Sequence, residues 1–131
     1  MIRSSVVWLV FGIAVPFAAG CTSEPRPVAV NGTVTLDAKP VSHGRIIFSA
    51  DDGSPPVSLD VKDGKFEGKV KPGKKRVEIW AERKTGRKNA FYPDDEELEN
   101  YIPVRYNQQT TLSEDIPQEG KSGLKFDLKS K

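Results

Sequence analysis

The chain has 131 residues and a formal net charge of +2, from 20 Lys and Arg against 18 Asp and Glu. That length favours one domain, and the balanced charge gives no support to a nucleic-acid-binding protein. A single Cys excludes an intramolecular disulfide, and a single His beside it excludes the usual zinc ligand sets. We therefore expect a small globular domain with neither a metal nor another cofactor.

The first twenty residues have the pattern of an export signal. Arg3 and the free amine precede a run of uncharged, mostly apolar residues from 6 to 19. As a helix this run would span roughly 21 Å, short of the roughly 30 Å hydrocarbon core of a bilayer. An export signal therefore fits better than a permanent transmembrane helix.

The end of this run carries a second signal, because the small residues Ala18, Ala19 and Gly20 stand directly before Cys21. The junction resembles the bacterial lipobox. The resemblance implies a diacylglyceryl group on the Cys21 sulfur, cleavage after Gly20 and acylation of the new amine. Two or three acyl chains, at roughly 0.8 kcal/mol per buried CH₂, anchor a protein essentially permanently. The alternative is an ordinary signal peptide cut near Ala18 or Gly20, with Cys21 left as a thiol.

We accordingly expect residues 1–20 to be a lipoprotein signal peptide and residues 21–27 a tether. The membrane would then be a partner through acylated Cys21. The protein would be an exported, membrane-anchored lipoprotein of the bacterial cell envelope, in the periplasm or on the cell surface.

Residues 28–131 are dominated by strand patterns. Apolar residues alternate with polar ones in the stretches 30–36, 57–61, 77–81 and 124–128, and 46–48 is a short apolar run. Asp63-Gly64 predicts a hairpin and Pro72-Gly73 a type II turn. These features predict an all-β domain, a single Greek-key β-sandwich of about seven strands and of immunoglobulin-like or transthyretin-like type.

One segment interrupts the strand pattern. Residues 93–100 begin with Pro93 and carry acids in their first turn, which makes them the single candidate for a short helix. They lie inside a long connection, Thr85 to Tyr101, of a length that is unusual in a compact sandwich.

The order of the elements is similar to that of a known family. Its features are an opening from Val30 to Asp37, a strand from Gly44 to Phe48, the Asp63-Gly64 hairpin, the Lys71-Pro72-Gly73-Lys74 turn, and the segments 102–107 and 124–128. This set resembles the carboxypeptidase regulatory-like (transthyretin-like) domain of small bacterial lipoproteins. The resemblance implies a seven-stranded Greek-key sandwich that acts as an accessory module for stability, interaction or surface display. It implies no catalytic site, because the several histidines and the tyrosine-rich C-terminal motif of the related hydroxyisourate hydrolases are missing.

The candidate catalytic and metal-binding residues also give no indication of an enzyme. His43 lies in a loop-like stretch, and no partner for base catalysis can be identified for it. The acidic clusters 51–52 and 94–99 do not have the ligand spacing of an EF-hand, so a solvated charged loop is the simpler interpretation, with a weak calcium contact at 94–99 as the alternative. We therefore predict that the protein is not an enzyme.

Charge is segregated along the chain. Residues 62–88 hold eleven basic and four acidic groups, whereas residues 94–119 hold eight acids and one Arg. The basic segment could dock an anionic polymer or membrane headgroups. Alternatively, the two segments face each other or keep an exposed sheet soluble.

Trp80 is the best candidate for a binding surface. It alternates onto one face with Arg76, Glu78 and Glu82, and it could stack on a sugar or anchor a protein unless the connection 85–101 covers it. Two functional hypotheses follow. The first is a non-enzymatic, lipid-anchored envelope protein whose sandwich is an interaction or structural module, with an envelope protein or polysaccharide as its partner. The second is a domain that binds carbohydrate or another anionic polymer through the 62–88 segment, with the ligand-binding residues Lys74, Lys75, Arg76 and Trp80.

Overall fold

The computed structural model describes Gly20 and residues 23–131. The expected signal peptide, Gly20 excepted, and the expected lipid attachment at Cys21 lie outside the described residues. Within the described part, no helix is long and apolar enough to cross a membrane.

The described chain is all-β, which confirms the predicted fold class. It has more strands than the approximately seven expected, because short strands and an extra hairpin add to the main set. The strands are β1 (Val28–Leu36), β2 (Lys39–Pro40), β3 (His43–Ser49), β4 (Val57–Lys62), β5 (Lys65–Val70), β6 (Gly73–Trp80), β7 (Glu82–Lys88), β8 (Glu96–Asn100), β9 (Ser113–Ile116) and β10 (Lys121–Leu128), with a 3-10 turn at Val104–Tyr106.

Eight strands form one curled sheet in the order β10-β1-β5-β4-β3-β6-β9, with β2 paired to β1. The register between β4 and β5 consists of one pair, Lys62 with Lys65, beside the turn. The sheet therefore folds over at this turn into two layers, β10-β1-β5 and β4-β3-β6-β9. The ring of Phe48 on β3 lies 6.2 Å from that of Phe66 on β5, across the space between the layers.

The predicted hairpin turn at Asp63-Gly64 is present, and at Pro72-Gly73 the chain bends without a hydrogen-bonded turn. Asp63 and Gly64 have φ values of 51° and 76°, the left-handed pair that a tight hairpin of type I′ requires. Gly73 has a φ of 113°, also in the left-handed region. The strands around Pro72-Gly73 are not paired with each other, so this bend carries the chain from one layer to the other.

The expected helix at residues 93–100 is wrong, and the long connection around it is not a loop. Glu96–Asn100 is strand β8, which pairs with β7 in a separate two-stranded sheet. Carboxylates of β8 meet cations of β7, for example Glu99 with Arg83 at 2.7 Å. An isolated helix of seven or eight residues is marginal in water, so cross-strand pairing decides the conformation.

The core lies between the two layers. It is formed by alternate residues of the strands, among them Val30, Val34, Ile46, Phe48, Val77 and Ile79, all essentially inaccessible to solvent. The segment that follows β8 completes the core. Ile102 and Asn107 of this segment are buried, and Tyr106 accepts a hydrogen bond from the Lys129 amide at 3.0 Å.

Candidate functional site

Trp80 lies at one end of the sandwich, which we call the Trp80 end. This end contains the last residue of β6, the first residue of β3 and the end of β1. The opposite end, which we call the tether end, carries the start of β1, the start of β6 and the loop 50–56. Because β1 has nine residues that rise about 3.3 Å each, the two ends lie roughly 26 Å apart.

A cleft of about 370 Å³ opens beside Trp80. The side chains that matter for its chemistry are His43, Arg45, Asp60, Trp80, Glu82 and Leu98. We call this the Trp80 cleft. It combines one aromatic face, one aliphatic side chain and polar groups of both charges.

The sheet register places three of these residues side by side. Asp60 on β4 is paired with Arg45 on β3, and Arg45 is paired with Trp80 on β6. Residues that are directly opposite each other in antiparallel strands have neighbouring side chains, so the three form a row on the outer face of this layer. Arg45 also lies 3.9 Å from Glu82, which follows the end of β6.

Trp80 is half-buried, and its indole N–H donates to the Glu78 carboxylate at 3.2 Å. Glu78 lies 3.6 Å from the Arg76 guanidinium, which also donates to the Gln108 carbonyl at 3.2 Å. Arg76 and Trp80 are therefore linked through Glu78. Glu82 belongs to β7 and not to β6, but it lines the same cleft as Trp80.

The hairpin β7–β8 partly flanks Trp80 and does not enclose it. Leu98 of β8 lines the Trp80 cleft and is itself 54% exposed. The structure thus lies between the two expectations for Trp80: the residue is half-buried, and a cleft remains open beside it.

The structure does not bring the four sequence-predicted ligand residues together. Lys74 is exposed on the outer face near the tether end, several residues along β6 from Trp80. Lys75 points to the inner face and is only 5% exposed, so it cannot share a surface with Trp80. Lys74, Arg76 and Trp80 lie on one outer face of β6, and of these only Arg76 is linked to Trp80, through Glu78.

The basic and acidic segments face each other along the β7–β8 hairpin. Arg83, Lys84 and Arg87 lie 2.7, 3.8 and 2.9 Å from Glu99, Glu96 and Glu97, respectively. This geometry supports the interpretation in which the two segments neutralise each other in this region. All these groups are largely exposed, and exposed pairs contribute about 0–1 kcal/mol each.

The remaining observations concern His43 and the side chains that could bind a metal ion. His43 is not in a loop, since it is the first residue of β3, where it is exposed at the rim of the Trp80 cleft. Among the described residues, no three His, Cys, Asp or Glu side chains are grouped so that they could hold a metal ion.

Sequence reasoning missed the contribution of Arg45 and Asp60 to the cleft. The aromatic pair Phe91 and Tyr92, which the sequence also offers as a binding element near Trp80, lies at the tip of the β7–β8 hairpin, where the two side chains are 88% and 68% exposed. The side chain of Asn89 accepts hydrogen bonds from both of their amides, at 2.8 and 3.2 Å, which fixes the tip.

No family model matches the chain, and no curated protein matches it. Among solved structures, it is similar to a DUF3823 family protein from Parabacteroides merdae, with 15% identity and a TM-score of 0.44. The likeness covers 79% of this chain and 46% of that one, so the chain spans less than half the length of this neighbour.

Proposed function

We propose that this chain is a non-enzymatic, lipid-anchored protein of the bacterial cell envelope, whose β-sandwich is an interaction module of the carboxypeptidase regulatory-like type. The lipobox-like junction supports Cys21 as the acylated anchor. The ordered set of turn and strand motifs supports the domain type. The interaction surface we propose is the Trp80 cleft.

The observation that carries this proposal is the position of the cleft relative to the tether. The tether runs into β1 at one end of the sandwich, and the Trp80 cleft opens at the other. Glu24 of the tether is paired with Lys71, so the tether is held against its own end of the domain. Glu24 lies three residues after Cys21, a reach of at most about 11 Å. An anchor at Cys21 would therefore keep the tether end at the bilayer and the Trp80 cleft pointing away from it.

The anchor is tested by intact mass spectrometry of the membrane-extracted protein beside its Cys21→Ser variant. We expect a mature N-terminus at residue 21 carrying two or three acyl chains, and neither modification nor membrane retention in the variant. A chain that is not acylated, or a variant that remains in the membrane fraction, would contradict the anchor.

A second, more specific function is favoured by the composition of the cleft: binding of carbohydrate. A half-buried Trp offers an aromatic face for a sugar ring, and the Arg45, Asp60 and Glu82 side chains around it offer hydrogen-bond donors and acceptors for hydroxyl groups. The ion pairs of the β7–β8 hairpin leave less free positive charge there for an anionic polymer. We therefore place the ligand at the Trp80 cleft and not along the basic side chains of residues 62–88.

A glycan array probed with the full chain tests this second function. Trp80→Ala should weaken binding at least about tenfold, as is common for a Trp at the centre of an interface. Tyr92→Ala is the matched control, because it removes an exposed aromatic residue outside the cleft and should leave binding unchanged. Circular dichroism establishes that both variants are folded. Equal binding by Trp80→Ala and the parent chain would rule out this site.

A further inference from the structure

We propose that the tether end of the sandwich contains a pocket for a small organic anion, in which the Lys75 ammonium pairs with the negative group. The pocket is separate from the Trp80 cleft. The inference is independent of the anchor and of the carbohydrate ligand proposed above.

The alternation of residues along β6 places Lys75 at a position that faces the core. Lys75, Val77 and Ile79 point to the inner face of β6, and Lys75 is only 5% exposed. A Lys this deeply buried is almost always paired. Within the described residues, however, none of the ion pairs includes Lys75. Every fully enclosed side-chain nitrogen of the described residues has a hydrogen-bond partner, so the unpaired Lys75 nitrogen is not fully enclosed, and Lys75 lines a pocket.

The neighbouring carboxylates are committed to other groups. Glu114 is the Cα partner of Lys75 on β9, but its side chain accepts from Lys121 at 2.9 Å. Asp52 accepts hydrogen bonds from the Ser54 amide at 2.9 Å and from the Ser54 hydroxyl. These bonds lower the pKa of Asp52, and the charge of Lys75 lowers it further without direct contact. Lys75 is therefore close to an anion without being neutralised by one.

The space beside Lys75 is a pocket of about 220 Å³, room for roughly seven water molecules. Its walls are mainly apolar and come from β3, β4, β5, the loop 50–56 and the tether: Pro27, Phe48, Pro55, Pro56, Val57 and Val70. Lys69 and Lys71 are also part of the lining, and Lys71 is held by Glu24. The pocket thus offers an apolar enclosure with positive charge on one side.

This combination selects a class of ligand. An inorganic anion would satisfy the Lys75 charge and leave the apolar walls uncovered. A neutral apolar molecule would cover the walls and leave the ammonium without a partner, which is unfavourable in a poorly solvated place. A compact organic acid, with one carboxylate or phosphate group and a small apolar body, satisfies both.

The test uses the full chain in a nonionic detergent, with the valine methyl NMR signals of the pocket as the readout. The probes are benzoate, its neutral counterpart benzyl alcohol, and inorganic phosphate. Benzoate should shift the Val57 and Val70 methyl signals saturably, with a Kd below about 10 mM, and the other two probes should bind at least about tenfold more weakly. Equal binding of benzoate and benzyl alcohol, equal binding of benzoate and phosphate, or no saturable shift would each overturn the proposal.

Two variants locate the site. Lys75→Met keeps the length of the side chain and removes the charge, so it should weaken benzoate binding at least about tenfold. The matched control Lys74→Met removes a charge from the outer face and should leave benzoate binding unchanged. Ala50 also lines the pocket, so Ala50→Leu narrows it while Lys75 is retained, and this variant should also weaken binding. If Lys75→Met fails to fold, Ala50→Leu decides. Undiminished binding in whichever folded variant is measured would refute the site.

Discussion

Replacement of Asn107 by Ala should destabilise the sandwich, because this side chain ties three parts of the chain together in the core. Asn107 is 1% exposed. Its amide N–H group donates to the Ile79 carbonyl of β6 and to the Ile102 carbonyl, both at 3.3 Å. Its side-chain oxygen accepts from the Gln108 amide at 2.8 Å.

The magnitude follows from these contacts. A hydrogen bond of this kind contributes about 1 kcal/mol net, so the loss of three amounts to about 3 kcal/mol. The loss of the buried side chain adds a packing cost of the same sign. The melting temperature of a domain of this size should fall by roughly 12–24 °C.

Urea denaturation at pH 7, followed by Trp fluorescence and analysed as a two-state transition, measures the free energy of unfolding. The control is Asn31→Ala, which removes one exposed hydrogen bond, to the Gly123 amide at 3.0 Å. The control should cost less than about 1 kcal/mol. If Asn107→Ala costs no more than the control, the reasoning from buried hydrogen bonds is wrong.

Two further predictions concern packing and pH. In Gly32→Ala, the new Cβ would lie 2.3 Å from the Leu124 carbonyl oxygen, so β1 and β10 must separate. Thermal unfolding should show a decrease of about 1–3 kcal/mol in the free energy of unfolding. A melting temperature equal to the parent's would contradict this. Hydrogen bonds from Ser130 hold the pKa of Asp37 below its ordinary value of 3.8. The unfolded chain therefore binds the proton more readily, and the stability that Asp37 contributes is present above about pH 4 and is lost as the pH falls further. The difference in melting temperature between the parent and Asp37→Asn should accordingly shrink between pH 7 and pH 3, and a constant difference would count against the assignment.

The strand pattern in the sequence has a local cause, whereas the ligand surfaces depend on residues that are distant along the chain. Alternation of apolar and polar residues identifies strands such as β4 and β10, because every second side chain must face the core. Asp63-Gly64 identifies its hairpin, because both residues must have positive φ. Neither signal says which strands are neighbours.

At residues 93–100 the local sequence pattern does not predict the correct secondary structure. Pro93 and the following acids are typical of a helix start, and the same acids also suit a strand opposite cations. The choice depends on Arg83, Lys84 and Arg87, which lie earlier in the chain and become neighbours only when β7 and β8 pair.

Sequence alone determined the all-β class, the principal strands and the Asp63-Gly64 turn, because these depend on side-chain periodicity and on backbone conformations at single residues. The tertiary structure decided what the candidate residues do. Register placed Arg45 and Asp60 beside Trp80, and the folding of the sheet placed the apolar walls of a pocket beside Lys75. Such neighbours are separated along the chain and are brought together only by strand order and by the folding of the sheet into two layers.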